Sequence, residues 1–281
     1  ARVHAPGMRS VPEKYSSMGC LQTRLIEYFT LTGWGLAFFL LLSSLLSSIL
    51  QYLNYPTSSA VLPAKKLFFF EAFRASEVTV SATVSSIKQW LVPAVHSTLT
   101  IWHLVLHSSL LRGASRRSSI VLTLAFTSAY MLYDLGRILI SGTFESELLY
   151  VLHHLTTLVY MFSVVSEACG YEINAALIFL GEASNPLMCI WGLYHAPPFG
   201  GGLGDSQPPQ LITDLFALVY VAARFVFGPP FLAYMFWRVM RGPEKDVSAI
   251  AKVIWVVSVI AVIGGSVGFG KEIYESASFG S

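Results

Sequence analysis

The sequence predicts an all-α protein, a polytopic bundle of about seven transmembrane helices. Three observations carry that prediction. Charged residues make up 12% of the chain, about half of the roughly 25% found in soluble domains. The hydrophobic fraction is 54% and the mean hydropathy is +0.61. Apolar runs of about 20 residues, the length that crosses a bilayer, recur along the chain. A formal charge of +2 is near balance and implies no nucleic-acid partner. The three cysteines, Cys20, Cys169 and Cys189, are odd in number and suggest neither a disulfide framework nor a zinc cluster.

Windows poor in charge place the spans near 30–53, 90–111, 118–139, 148–168, 173–194, 212–237 and 250–269. Residues 1–60 read as a tail and first span, and 61–281 as the main transmembrane domain. Local punctuation separates the spans: "RGASRRSS" at 112–119, "CGYE" at 169–172 and "APPFGGGLGDSQPPQ" at 196–210. The last is the longest Gly/Pro loop, a candidate lid or partner-binding loop beside its plainer reading as a solvated connector. Lys and Arg flanking the spans number ten on the N-terminal side and six on the other. That bias makes the N-terminal side the cytoplasmic, matrix or stromal one.

Alternating direction through the membrane sets the depth of each polar residue, at a rise of roughly 1.5 Å per residue. His96 in the second span, Asp134 in the third and His153 and His154 in the fourth fall on the half away from the N-terminus. Glu182 and Arg224 sit near mid-depth in the fifth and sixth. Five consecutive spans thus offer polar groups at similar depth. A lone charge at the bilayer centre costs about 2.5–3.5 kcal/mol on insertion scales. Glu182 and Arg224 are therefore expected to pair or to share a wet cavity, and a pair that only fixes helix register satisfies the same cost.

His153 and His154 point about 100° apart on a helix, so one can face a cavity while the other bonds a neighbour. His153 shares its face with Thr156, Thr157 and Tyr160. An intramembrane histidine can be a structural hydrogen-bonder. A pair at the depth of an Asp, a Glu and an Arg points to function, with a neutral imidazole as general base toward a lipid hydroxyl or amine. "HLVLH" at 103–107 sets two histidines one turn apart, a spacing that can chelate an ion. With seven histidines in all and His4 in the tail, no metal and no other cofactor is expected.

Five segments, taken in order, resemble the TLC-domain family, which includes ceramide synthases, translocon-associated lipid proteins and smaller lipid-regulatory relatives. They are "QWLVPAVHSTLT" (89–100), "YMLYDLGRIL" (130–139) and "LHHLTT" (152–157), followed by "FLGEASNPLMCIWGL" (179–193) and "VAARFVFGPP" (221–230). The likeness covers roughly 85–270. It implies a six-helix bundle around a central lipid-accessible cavity, preceded here by one extra span. It also implies His153 and His154 as the catalytic pair. His96, Asp134, Thr157, Glu182, Ser184 and Arg224 would line the cavity. The ceramide synthases carry a second acidic stretch one span after the double histidine, where this chain holds only Glu182. The resemblance therefore points toward the smaller relatives.

The expected function is to bind, sense or modify a sphingolipid or fatty-acyl lipid inside the membrane, with membrane lipids as partners. Two alternatives stand beside it: an accessory or scaffold subunit of a larger membrane complex, and an acyl-CoA-dependent acyltransferase like the ceramide synthases. Family resemblance implies the endoplasmic reticulum. Ala1 as a processed terminus would imply an organelle inner membrane instead.

Overall fold

A computed structural model describes residues 13–54, 87–108, 110–111, 113–145, 147–195 and 209–278. The loop 196–208, the segment 55–86 and the side chain of His107 lie outside the described residues, and with them the candidate lid and the chelating pair. Every element is helical: α1 (Glu13–Asn54), α2 (87–102), α3 (Gly113–Ser141), α4 (Leu148–Glu167), α5 (Tyr171–Glu182), α6 (Asn185–His195), α7 (Gln210–Val221), α8 (Gly228–Arg241) and α9 (Ala249–Ser278). Two π-helical turns interrupt the pattern, His103–Ser108 after α2 and Ala222–Val226 between α7 and α8.

Six helical stretches among the described residues are long and apolar enough to cross a membrane. They are Leu21–Ile49, Ser115–Ser141, Leu148–Glu167, Tyr171–Tyr194, Gln210–Arg241 and Ala249–Gly268. The chain is an integral membrane protein with an all-α bundle. The first stretch begins nine residues before the expected 30, because Arg24 and Glu27 near its start depress a windowed hydropathy without breaking the helix. The window near 90–111 is occupied by α2 and its π turn. α2 runs antiparallel to α3, with His96 reaching Thr127 and, nearer the other end, His103 reaching Thr123.

Two spans that read as continuous are broken. Ala183 and Ser184 separate α5 from α6 ahead of Pro186, whose missing N–H cannot continue the ladder. The sixth span carries a π turn closed by Phe227 N–H to the Ala222 carbonyl at 2.9 Å, ahead of Pro229 and Pro230. Single-turn π segments of this kind collect at functional sites.

α3 is the axis of the bundle. Its inward stripe, Leu124, Ala125, Ala129 and Ile138, is fully buried. α1 packs along it with the Tyr28 hydroxyl 2.5 Å from Ser128 Oγ and Phe39 wholly enclosed. α9 docks on α4 through Trp255, whose indole N–H donates to Ser163 Oγ at 2.6 Å. The turn from α4 to α5 needs two left-handed residues, Ala168 at φ 54° and Gly170 at φ 75°. Gly170 is also the only residue type that fits, since a Cβ there would sit 2.6 Å from the Trp255 ring. At the other end of the bundle, a Cβ on Gly192 of α6 would come within 2.5 Å of the Trp90 ring of α2.

Candidate functional site

Glu182 ends α5, at the break, and turns its carboxylate toward α2. Ser97 Oγ donates to Glu182 Oε2 at 2.5 Å, and Asn185 donates its side-chain amide to the same oxygen at 2.9 Å. His96 Nδ1 lies 3.7 Å from that oxygen. The His96 ring is completely buried. It stacks on Tyr130 of α3 at 4.1 Å between centroids, with Phe39 of α1 edge-on to it at 5.9 Å. Its Nε2 is 3.4 Å from Thr127 Oγ1.

One turn further along α3 from Tyr130, Asp134 forms a second centre. His154 Nε2 is 2.9 Å from Asp134 Oδ2, and Arg137 Nε donates to Oδ1 at 2.7 Å. Arg137 continues to Glu147 at 2.8 Å, and Thr143 donates to the other Glu147 oxygen at 2.6 Å. Oδ1 accepts from the Arg137 guanidinium, and Oδ2 is the acceptor that faces His154. His154 Nε2 is therefore the donor in this contact, and in the neutral ring Nδ1 is the acceptor. Asp134 fixes both the tautomer and the ring orientation, the arrangement that prepares an imidazole to act as a base.

Tyr130 joins the two centres. It is stacked on His96, and its ring lies 6.1 Å from His154. Around this seam are five enclosed atoms with no hydrogen-bond partner among the described residues: His96 Nδ1, Thr100 Oγ1, His154 Nδ1, Thr157 Oγ1 and Ser184 Oγ. Thr100 lies one turn from His96 on its face of α2, and Thr157 one turn from His154 on its face of α4. His153 is half-buried, edge-on to His154 at 5.6 Å, and forms none of the hydrogen bonds of either centre.

The structure thus brings His96, Asp134, His154, Thr157, Glu182 and Ser184 into the interior, but it does not join Glu182 to Arg224. Arg224 donates to the Gly181 carbonyl at 2.7 Å and lies over the Tyr220 ring at 5.9 Å. The two charges share a depth, yet Glu182 faces α2 and Arg224 satisfies the backbone exposed where α5 ends. Two hollows lie away from the cluster. One of about 550 Å³ lies among Arg116, Arg117, the 168–172 turn and Glu244, and one of about 160 Å³ lies between α4 and α9.

Ser97, Tyr130, Arg137, Glu147 and Asn185 belong to the site although hydropathy windows do not single them out. Periodicity could have found three of them, Arg137 being three residues after Asp134. Tyr130 is four residues before Asp134 on one helical face, and Asn185 is three after Glu182.

Two comparisons find nothing: no curated protein and no solved structure matches the chain. A family model described as the TLC domain matches residues 78–267. The matched region starts ahead of α2 and ends within α9, so it holds both polar centres and leaves α1 outside. Covering well over half of the chain and every segment of the site but Phe39, this match shows that the protein belongs to the TLC-domain family.

Proposed function

We propose that the chain binds a lipid with its polar group against the seam between His96 and His154. The best candidates are a sphingolipid or a fatty-acyl lipid carrying a hydroxyl or amide. The observation that carries this reading is that the segments of the seam hold five enclosed polar atoms without a hydrogen-bond partner among the described residues, two of them the Nδ1 nitrogens of His96 and His154. In a hydrocarbon setting each such atom costs about 1–3 kcal/mol unless a partner reaches it. A hydroxyl or amide offers both donor and acceptor and would serve a lone-pair nitrogen and a threonine hydroxyl together. The π turn at Ala222–Val226 and the break at 183–184 supply the local give through which an acyl chain could enter between α5 and α7.

The Asp134–His154 pair supports a further step within this reading. His154 Nδ1 would accept a proton from the bound hydroxyl or amine, and Nε2–H would stay on Asp134 as charge develops on the ring. Lipid handling in the endoplasmic reticulum is the setting that family membership favours.

The test is native mass spectrometry of the protein purified in mild detergent, followed by lipid identification. A co-purifying acyl lipid with a hydroxyl or amide is expected. It should fall at least about tenfold in a His96→Leu/His154→Leu variant, the equivalent of 1.4 kcal/mol or more. Equal lipid retention in that variant would remove the seam as the binding site.

A further inference from the structure

A hollow lies at the opposite end of the bundle from Asp134, where span ends at Ser115, Glu167, Tyr171, Arg241 and Ala249 meet. That is the depth of lipid headgroups. Arg116 and Arg117 enter it from the opening turns of α3, a place where helix dipoles disfavour cations. The two carboxylates that line it are already matched. Glu172 accepts from Arg116 Nη2 at 2.7 Å, and Glu244 is held by Arg238. Arg116 Nε is enclosed and has no acceptor among the described residues. Arg117 lies over the Tyr171 ring at 5.8 Å and has no carboxylate partner among the described residues. Arg24 of α1 approaches the same tyrosine. The first N–H groups of α5 open here as well, since no side chain caps Gly170.

We propose that this hollow of about 550 Å³ binds a phosphate group at the membrane surface. The phosphate is carried by an anionic phospholipid headgroup or arrives as a free anion. Arg117 and the spare Arg116 Nε donate to its oxygens, which take charge-assisted hydrogen bonds well. The α5 amides add the positive end of a helix. Tyr171 forms the floor on which the Arg117 guanidinium rests.

The probes are dihexanoyl phosphatidic acid and inorganic phosphate, titrated into the full chain in phosphatidylcholine nanodiscs and followed by intrinsic fluorescence. Phosphatidic acid should bind, and Arg117→Gln should weaken it about tenfold, the loss of one charge-assisted contact. Arg117→Lys, which keeps the charge but loses the fork, should fall between the two. Arg241→Gln, an exposed arginine at the same end but outside the hollow, should leave binding within about twofold. Inorganic phosphate competing at equal concentration would identify the free anion as ligand, whereas competition only in large excess would identify the headgroup. Equal weakening by Arg117→Gln and Arg241→Gln would reduce the effect to general surface charge and overturn the site. Absence of binding by both probes would do the same.

Discussion

Asp134 and Glu182 are two buried carboxylates that each meet a histidine, yet they are held in opposite ways. Asp134 has a full cation, Arg137, at 2.7 Å, and that cation is shared with Glu147. Among the described residues Glu182 is held by the dipoles of Ser97 and Asn185, with an imidazole 3.7 Å away and the Arg224 charge at longer range. The first is a finished ion network whose product is an oriented His154. The second is a carboxyl held by neutral donors, on segments that also carry Thr100 and Ser184, whose hydroxyls have no hydrogen-bond partner among the described residues. The difference teaches where rigidity ends and binding begins. A compensated network fixes geometry, and an uncompensated one beside spare donors and acceptors is where a ligand's polar group is needed.

The comparison can be broken most severely at Asp134. Asp134→Ala leaves His154 without its acceptor and Arg137 with Glu147 alone. Removing one partner of a buried pair costs about 3–5 kcal/mol, and the surviving Glu147 contact puts the expected loss near the lower end. Thermal unfolding in detergent would read it. A loss below about 1 kcal/mol would mean that the network orients nothing.

A second perturbation moves the wall of the Glu182 centre without touching its chemistry. Gly192→Ala drives a Cβ into Trp90 and pushes α2, which carries His96 and Ser97, away from α6. Overpacking of this kind costs about 1–3 kcal/mol. It should also reduce lipid retention in native mass spectra, whereas Gly181→Ala, where a Cβ meets open space, should leave both unchanged.

Ser97→Ala and Glu182→Gln sharpen the contrast. Each alone should cost roughly 1 kcal/mol, the net worth of one hydrogen bond. Because they share that bond, the double variant should cost less than the sum. The smallest coupling is expected between Glu182→Gln and Arg224→Met. These groups do not meet, so their losses should add within about 0.5 kcal/mol. A larger coupling would mean that the two charges pair after all.

Much of the fold is legible in the sequence because lipid solvation leaves a strong signal. A helix that must hide its backbone in hydrocarbon needs a long apolar run, and such runs place five of the six spans within a few residues, the first starting nine residues earlier than expected. Depth is legible for the same reason, and it brought His96, Asp134, His154 and Glu182 to one level. Azimuth is not. Depth alone put Glu182 beside Arg224, but rotation about α5, set by the break at Ala183–Ser184, turns the carboxylate to Ser97. Arg137 reads in sequence as a flanking surface charge; its i,i+3 place on α3 makes it the counter-ion of Asp134, and the turn that returns Glu147 adds a second carboxylate. Phe39 carries no chemical signal at all. It reaches His96 because α1 packs on α3, a tertiary fact that no local pattern encodes.

The central claim is that the seam between His96 and His154 receives a lipid's polar group, and site-resolved photocrosslinking tests it most directly. A photoreactive, clickable sphingoid or fatty-acyl probe with the label near its polar end would be crosslinked in native membranes and mapped by peptide sequencing. The account predicts labelling concentrated at residues 96–100, 154–157 and 182–189, and its loss in the His96→Leu/His154→Leu variant. Labelling confined to outward residues such as Trp34 and Leu41 of α1, which are 73% and 71% exposed, and unchanged in the variant, would contradict it.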